Sequence, residues 1–179
     1  MEIIKTSIEG LVIILPKVFE DERGYFMESY KESFIKKNFP EIDFVQDNES
    51  RSIKGVLRGL HFQKPPFEQT KLVRVIDGEV LDVAVDLREN SPTYGKWESV
   101  ILSSDNKKQF MIPKGFAHGF YVRSNVAVVH YKVDNPYVKT YETGVRFDDS
   151  TINIDWRIES EKIIISEKDR ELKTLKDLR

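Results

Sequence analysis

Six short apolar runs, Val73–Ile76, Val80–Leu87, Val100–Leu102, Phe110–Ile112, Phe120–Val122 and Val126–Val133, follow one another through the middle of the chain with turn residues between them. β-branched and aromatic side chains dominate them, and such residues suit a pleated, half-buried surface. Each run has the length of a strand and is too short for a helix. The spacing therefore predicts an antiparallel sandwich or barrel rather than strands alternating with helices. Helical periodicity occurs only over Tyr30–Phe39, stopped by Pro40, and over Glu167–Leu178. In the second stretch Leu172, Leu175 and Leu178 share one side, behind a Ser166…Asp169 start signal. No repeat, low-complexity tract or linker divides the chain, so one domain over 1–179 is expected, with a C-terminal helix over 166–179.

Composition removes several kinds of chemistry. Lys plus Arg number 28 and Asp plus Glu 30, a net charge of −2, so no lopsided basic field is present to hold a nucleic acid or an anionic membrane. The absence of Cys excludes thiolate catalysis, iron–sulfur clusters, Cys-ligated zinc and disulfides. The aliphatic run Leu11–Leu15 is too short to span a bilayer and lacks the flanks of a signal peptide. A cytoplasmic domain is the expectation.

Two turn signals orient the strands. Asp77-Gly78 predicts a two-residue hairpin that sets Val75 opposite Val80, Val73 opposite Asp82 and Lys71 opposite Ala84. Ser124-Asn125 is a weaker turn of the same length and sets Val122 opposite Ala127, Phe120 opposite Val129 and His118 opposite Tyr131. Period-two alternation then points His118, Phe120, Val122, Ala127, Val129 and Tyr131 inward. Tyr121, Arg123, His130 and Lys132 fall on a face that reads as wet. In the segment Gly55–Gln63, strict alternation separates Arg58 from His61, whereas a bulge at Gly59 brings them together. Two of the three His, His61 and His118, thus lie on interior strands, joined there by Lys71, Asp82 and Tyr131. Burying several such groups is costly unless they are paired, so together they mark a site. The bland readings stay open for each: Asp169 as a helix-start residue, Lys71 with Asp82 as a structural pair, Tyr131 as core.

Gly55 with His61 and Glu68, and Pro113-x-Gly115-x-x-His118, resemble the two signatures of cupins, small jelly-roll barrels. Gln63 stands where metal-binding cupins carry a second His, so a metal set of His61, Glu68 and His118 ranks below a metal-free reading.

Longer stretches resemble one family, the dTDP-4-dehydrorhamnose 3,5-epimerases. They are Asp21–Phe26, Gln46–Ser50, Gly55–Gln63 with Pro65-Pro66, Gln69–Arg74, Asp82–Arg88, Ser91–Gly95 and Ile112–Phe120. The resemblance implies a cupin-type double-stranded β-helix, mainly β, with short peripheral helices. It also implies cofactor-free inversion at C3 and C5 of a dTDP-linked 4-keto-6-deoxy sugar, the step that leads to dTDP-L-rhamnose. His61 would be the base, Asp169 its orienting partner, Tyr131 the acid on the opposite face and Lys71 the stabiliser of the enolate. Arg23 and Arg58 would contact diphosphate or nucleotide, and Tyr137 would stack on thymine. Phe26, Glu28, Gln46, Asp47, Asn48, Asp82, His118, Glu142 and Lys168 complete the implied substrate contacts. A homodimer with exchanged N-terminal strands is implied too. Lys139 and Phe147 depart from the family pattern on the nucleotide side. A C3-only or C5-only epimerase of a related dTDP-keto sugar, a metal-dependent cupin enzyme and a sugar-nucleotide-binding module are the alternatives.

Overall fold

A computed structural model describes residues 1–158 and 163–178. The strands are β1 (Glu2–Lys5), β2 (Val12–Leu15), β3 (Val18–Asp21), β4 (Gly24–Met27), β5 (Gln46–Ile53), β6 (Leu57–Gln63) and β7 (Lys71–Asp77). They continue as β8 (Glu79–Asp86), β9 (Trp97–Ser103), β10 (Gln109–Ile112), β11 (Phe116–Val122), β12 (Val126–Val133) and β13 (Glu142–Gly144). Two α-helices accompany them, α1 (Glu32–Asn38) and the single turn α2 (Glu167–Arg170). Every strand pair is antiparallel.

One sheet runs β1-β2-β10-β7-β12-β5, the other β13-β6-β11-β8-β9, and β3-β4 form a separate hairpin. This is the expected cupin-type jelly roll. Val73, Val75, Phe110, Ile112 and Val129 of the first sheet pack on Val80, Ala84, Leu102, Phe120 and Val122 of the second. Both sheets are also covered outside, which explains why runs such as Val80–Leu87 are apolar on both faces. α1 lays Ile35 over Val12, Ile14, Leu72 and Met111 of the six-stranded sheet. Val145, Ile152, Trp156 and Leu175 cover Leu57, Leu81, Val83 and Val85 of the five-stranded one.

Three expectations are corrected. The hairpins at Asp77-Gly78 and Ser124-Asn125 do not form, because at both turns the chain crosses from one sheet to the other. Val75 pairs with Val129 instead, Asp82 with Phe120 and Val100, and His118 with Ala84 and His61. Of the four turn residues only Gly78 has positive φ, whereas a type I′ hairpin needs two. The inward assignments survive, since alternation along a strand does not depend on which neighbour it pairs with. Tyr121 is not wet: it is fully buried beneath the C-terminal segment.

The third correction concerns the helix over 166–179, which shrinks to α2 plus a 3-10 turn at Lys176–Leu178; Arg179 lies outside the described residues. The backbone of the intervening residues bonds to the sheet side instead. Lys173 bridges Val145, and Leu175 N–H donates to Asp149 at 2.8 Å. Leu175 still reaches the apolar cluster, along an irregular path that makes those bonds available.

Asp86, at the end of β8, ties a second group of loops together. Its buried carboxylate accepts from Arg88 Nε at 2.9 Å and Nη2 at 2.7 Å, from Ser91 Oγ at 2.6 Å and from Thr93 Oγ1 at 2.6 Å. Arg88 also lies 4.7 Å from the Phe116 ring centroid and donates to Glu9 O at 3.1 Å. Burial alone would raise the pKa of Asp86, but these donors outweigh it and bring it to about 2. With the folded value below the unfolded one, Asp86 stabilises the fold above about pH 4 and loses that contribution as pH falls toward about 2. Asp86→Asn should therefore cost about 2–3 kcal/mol in urea unfolding near neutrality, with the gap from the unaltered protein closing in acid. A gap independent of pH would contradict an ionised Asp86.

Candidate active site

A cavity of about 650 Å³ opens between the two sheets. Arg58 and His61 from β6 and His118 from β11 line one wall, Lys71 from β7 and Tyr131 from β12 the other. Tyr137, Glu142 and the α2 residues Lys168 and Asp169 complete the rim.

The bulge at Gly59 is present. His118 pairs with His61 while Phe120 pairs with Arg58, so β6 carries one residue more than β11 over this interval. Gly59 has φ +115, and a Cβ there would lie 2.6 Å from Gly119 Cα; a Cβ on Gly119 would lie 2.6 Å from Arg58 O. The two glycines let the backbones interlock, and the extra residue turns Arg58 and His61 toward the same cavity.

His61 and Asp169 form a pair. His61 Nε2 lies 2.8 Å from Asp169 Oδ1, while Gly59 N–H donates to Asp169 Oδ2 at 3.2 Å. Asp169 N–H donates to Ser166 Oγ at 3.1 Å, so the capping role and the histidine contact coexist. Burial would raise the pKa of Asp169, but the hydrogen bond and charge of His61 and the Gly59 N–H hold it below the usual range. An ionised Asp169 leaves the proton on His61 Nε2 and the lone pair on Nδ1.

His118 and Asp82 form a second, deeper pair at 2.8 Å. Desolvation lowers the pKa of His118 against the opposing pull of Asp82, so its imidazole is neutral near pH 7. Lys71 is buried, with Nζ 3.4 Å from His61 O. Burial pulls its pKa to about 8 against the charges of Asp82 and Glu142, leaving it cationic at neutrality. Desolvation raises the pKa of Tyr131, with Arg58 opposing, so its phenol keeps its proton. At the rim Glu142 accepts from Tyr137 OH at 2.8 Å and from Lys168 Nζ. Burial would raise the pKa of Glu142, and these two donors hold it below the ordinary value.

Other expected contacts lie elsewhere. Gln46 and Asn48 share the row of β5 that faces the Tyr131 side, where Gln46 Nε2 donates to Asn48 Oδ1 at 2.8 Å. Asp47 is on the opposite row, paired with Lys132 at 2.8 Å, so alternation turns it away from this cavity. Arg23, Phe26 and Glu28 belong to or flank the β3–β4 hairpin and do not line the cavity of their own chain. Arg23 is exposed and bonded to Asp21, and Glu28 to Lys31. Asp82 sits behind His118 rather than on the cavity surface.

Glu68 does not join His61 and His118. Its side chain is absent from the cavity lining, and among the described residues no three His, Cys, Asp or Glu side chains converge as a metal-binding group. Gln63, at the cupin ligand position, does other work. Its Nε2 donates to Phe67 O at 2.6 Å and Pro136 O at 3.1 Å, and its Oε1 accepts from Val138 N at 2.6 Å, bracketing the loop that carries Tyr137. Ser50 and Gln69 also line the cavity. Their inward register on polar or irregular stretches carries no periodic apolar signal, so sequence reasoning passed over them.

The family model described as dTDP-4-dehydrorhamnose 3,5-epimerase matches residues 5–177. A dTDP-4-dehydrorhamnose 3,5-epimerase of Methanothermobacter thermautotrophicus is 54% identical over 175 residues, covering 97% of this chain and 94% of the relative. The crystal structure of the enzyme of that name from Elizabethkingia anophelis superimposes with TM-score 0.94 at 52% identity, covering 99% of this chain and 97% of that one. A dTDP-6-deoxy-D-glucose-3,5-epimerase from Legionella pneumophila, solved in complex with dTDP-4-keto-L-rhamnose, gives TM-score 0.96 at 49% identity, covering 99% and 94%.

The interlocked glycines make a local prediction. Gly119→Ala places a methyl 2.6 Å from Arg58 O and 3.2 Å from Gly59 Cα, backbone atoms of β6 that cannot swing aside. It should lower stability by about 2 kcal/mol or more in urea unfolding. Unchanged stability would show that the strands have room there.

Proposed function

This chain belongs to the dTDP-4-dehydrorhamnose 3,5-epimerase family, and we propose that its cavity converts dTDP-4-dehydro-6-deoxy-D-glucose to dTDP-4-dehydro-L-rhamnose through the residues described above. The observation that carries this reading is the opposition of a His–carboxylate pair on one wall and a protonated phenol with a cationic Lys71 on the other.

The protons on C3 and C5 are acidic because a carbanion at either carbon delocalises into the C4 ketone as an enolate. His61 Nδ1 takes the proton, and the imidazolium that results is stabilised by Asp169 at 2.8 Å. The enolate oxygen gathers negative charge, which the buried Lys71 ammonium offsets. Preorganised donors of this kind are worth roughly 3–4 kcal/mol. Tyr131 then delivers its phenolic proton to the other face of the carbon, which inverts it; proton exchange with water restores both groups. An acid and a base each contribute roughly 10²–10⁴-fold, comparable with the electrostatic gain, so neither suffices alone. Arg58, with its planar fork, suits a diphosphate, and the exposed Tyr137 ring at the rim suits stacking on a base.

The β3–β4 hairpin supports a second part of the proposal. Phe19 is 52%, Tyr25 54% and Phe26 67% exposed, an unusual amount of aromatic surface on one short hairpin. A homodimer with exchanged N-terminal strands would cover it and carry Arg23, Phe26 and Glu28 to the nucleotide end of the partner's cavity. No helix among the described residues is long and apolar enough to cross a membrane.

Incubation with the dTDP-keto sugar in deuterated buffer should label C3 and C5, read by NMR. His61→Asn should abolish uptake at both carbons, whereas Tyr131→Phe should block completed inversion while leaving some exchange. Unaltered turnover in either variant would refute the assigned role. Turnover should also fall above about pH 8, because Lys71 loses its positive charge as pH rises through its pKa. Lys71→Met should be slower by roughly 10²–10³-fold at neutral pH and should lack that alkaline decline.

A further inference from the structure

Asp169 belongs to neither sheet. It sits on α2, within a segment that runs over the outside of the five-stranded sheet. This segment is tied at two places. Before α2, Ile164 N–H donates to Gly55 O at 2.8 Å, and Leu57 N–H donates to Ile164 O at 2.9 Å. After α2, Arg146 N–H donates to Lys173 O at 2.9 Å, and Leu175 N–H donates to Asp149 Oδ2 at 2.8 Å. The histidine's carboxylate partner is therefore slung between two anchors, and the second combines a backbone bond with a side chain.

That side chain is an unusual choice. Asp149 is 6% exposed. Its Oδ1 accepts the N–H groups of Thr151 at 2.8 Å and Ile152 at 3.0 Å, and its Oδ2 takes Leu175. Arg146, the nearby cation, pairs with Asp148 instead. A buried carboxylate compensated by backbone N–H groups is expensive, and a neutral side chain closing the 149–152 turn would cost less. Only a group with acceptors on both oxygens can close that turn and hold Leu175 from the other side at once. We infer that Asp149 is a positioning residue for the reaction, fixing the C-terminal segment so that Asp169 meets His61 in register. This inference rests on the epimerase reading above.

The molecule contains its own control, because the His118–Asp82 pair stands on β11 and β8 and does not involve the segment. The experiment uses the full chain as Asp149→Asn, whose amide cannot accept on both sides, with histidine ring nitrogens labelled for NMR. Turnover of the dTDP-keto sugar should fall roughly ten- to hundredfold in kcat with KM within about twofold. The hydrogen-bonded imidazole proton of His61 should shift or broaden while that of His118 stays put. In an Asp169→Asn background, Asp149→Asn should add almost nothing, since the two act through one another. If Asp149→Asn does not fold, replacing the Leu175 amide by an ester removes the one N–H in question and should give the same pattern. Full kcat in a folded variant, equal disturbance of both histidines, or an undiminished loss without Asp169 would each overturn the inference. Should the unaltered protein fail to exchange the sugar, the epimerase reading falls, while the histidine spectra still decide the link from Asp149 to His61.

Discussion

The contact between His61 and Asp169 joins parts of the molecule that no strand ladder joins. One partner lies on β6 of the five-stranded sheet, and the other on a helical turn that arrives more than a hundred residues later. For the two to meet, β6 must bulge so that His61 faces the cavity, and the C-terminal segment must lie over the outer face of that sheet. The interlocked Gly59 and Gly119 satisfy the first requirement. The bonds at Ile164, Lys173 and Leu175 satisfy the second. The same Gly59 that allows the bulge also donates its N–H to Asp169, so strand distortion and carboxylate placement are one piece of geometry.

Charge inside the cavity is arranged by the same economy. Lys71, Asp82 and His118 are all buried, which would be prohibitive for each alone. Asp82 offsets the desolvation of both Lys71 and His118, leaving one ammonium and one neutral imidazole near pH 7. Tyr131, raised by burial, keeps its proton on the facing wall. The result is a cavity with an imidazole, a protonated phenol and a cation in fixed places, the arrangement that the proposed enolate chemistry calls for. Around this centre, Asp86 and Asp149 use buried carboxylates to gather loops, one at the end of β8 and one beneath the C-terminal segment.

Much of this was legible in the residues themselves. Alternation along a strand is a property of the backbone, so the inward placement of Lys71, His118 and Tyr131 held even though both hairpins behind it were wrong. The bulge at Gly59 could be anticipated because a glycine interrupts an apolar strand between two polar residues. The resemblance spread along nearly the whole chain named the chemistry. Asp47 shows that a place in a resembling stretch does not give a side chain's direction, since its register turns it toward Lys132.

What the tertiary structure alone decided is which strand meets which. A two-residue turn can close a hairpin or carry the chain between facing sheets, and the choice rests on burying both faces of every central strand at once, a sum over distant residues that no local signal contains. The same long-range sum drew Leu175 out of a helix and into the sheet's apolar cover, and it left the β3–β4 hairpin with its aromatic rings outward. Side-chain parity and chemical identity were written in the chain; partners, and therefore the site, came from packing.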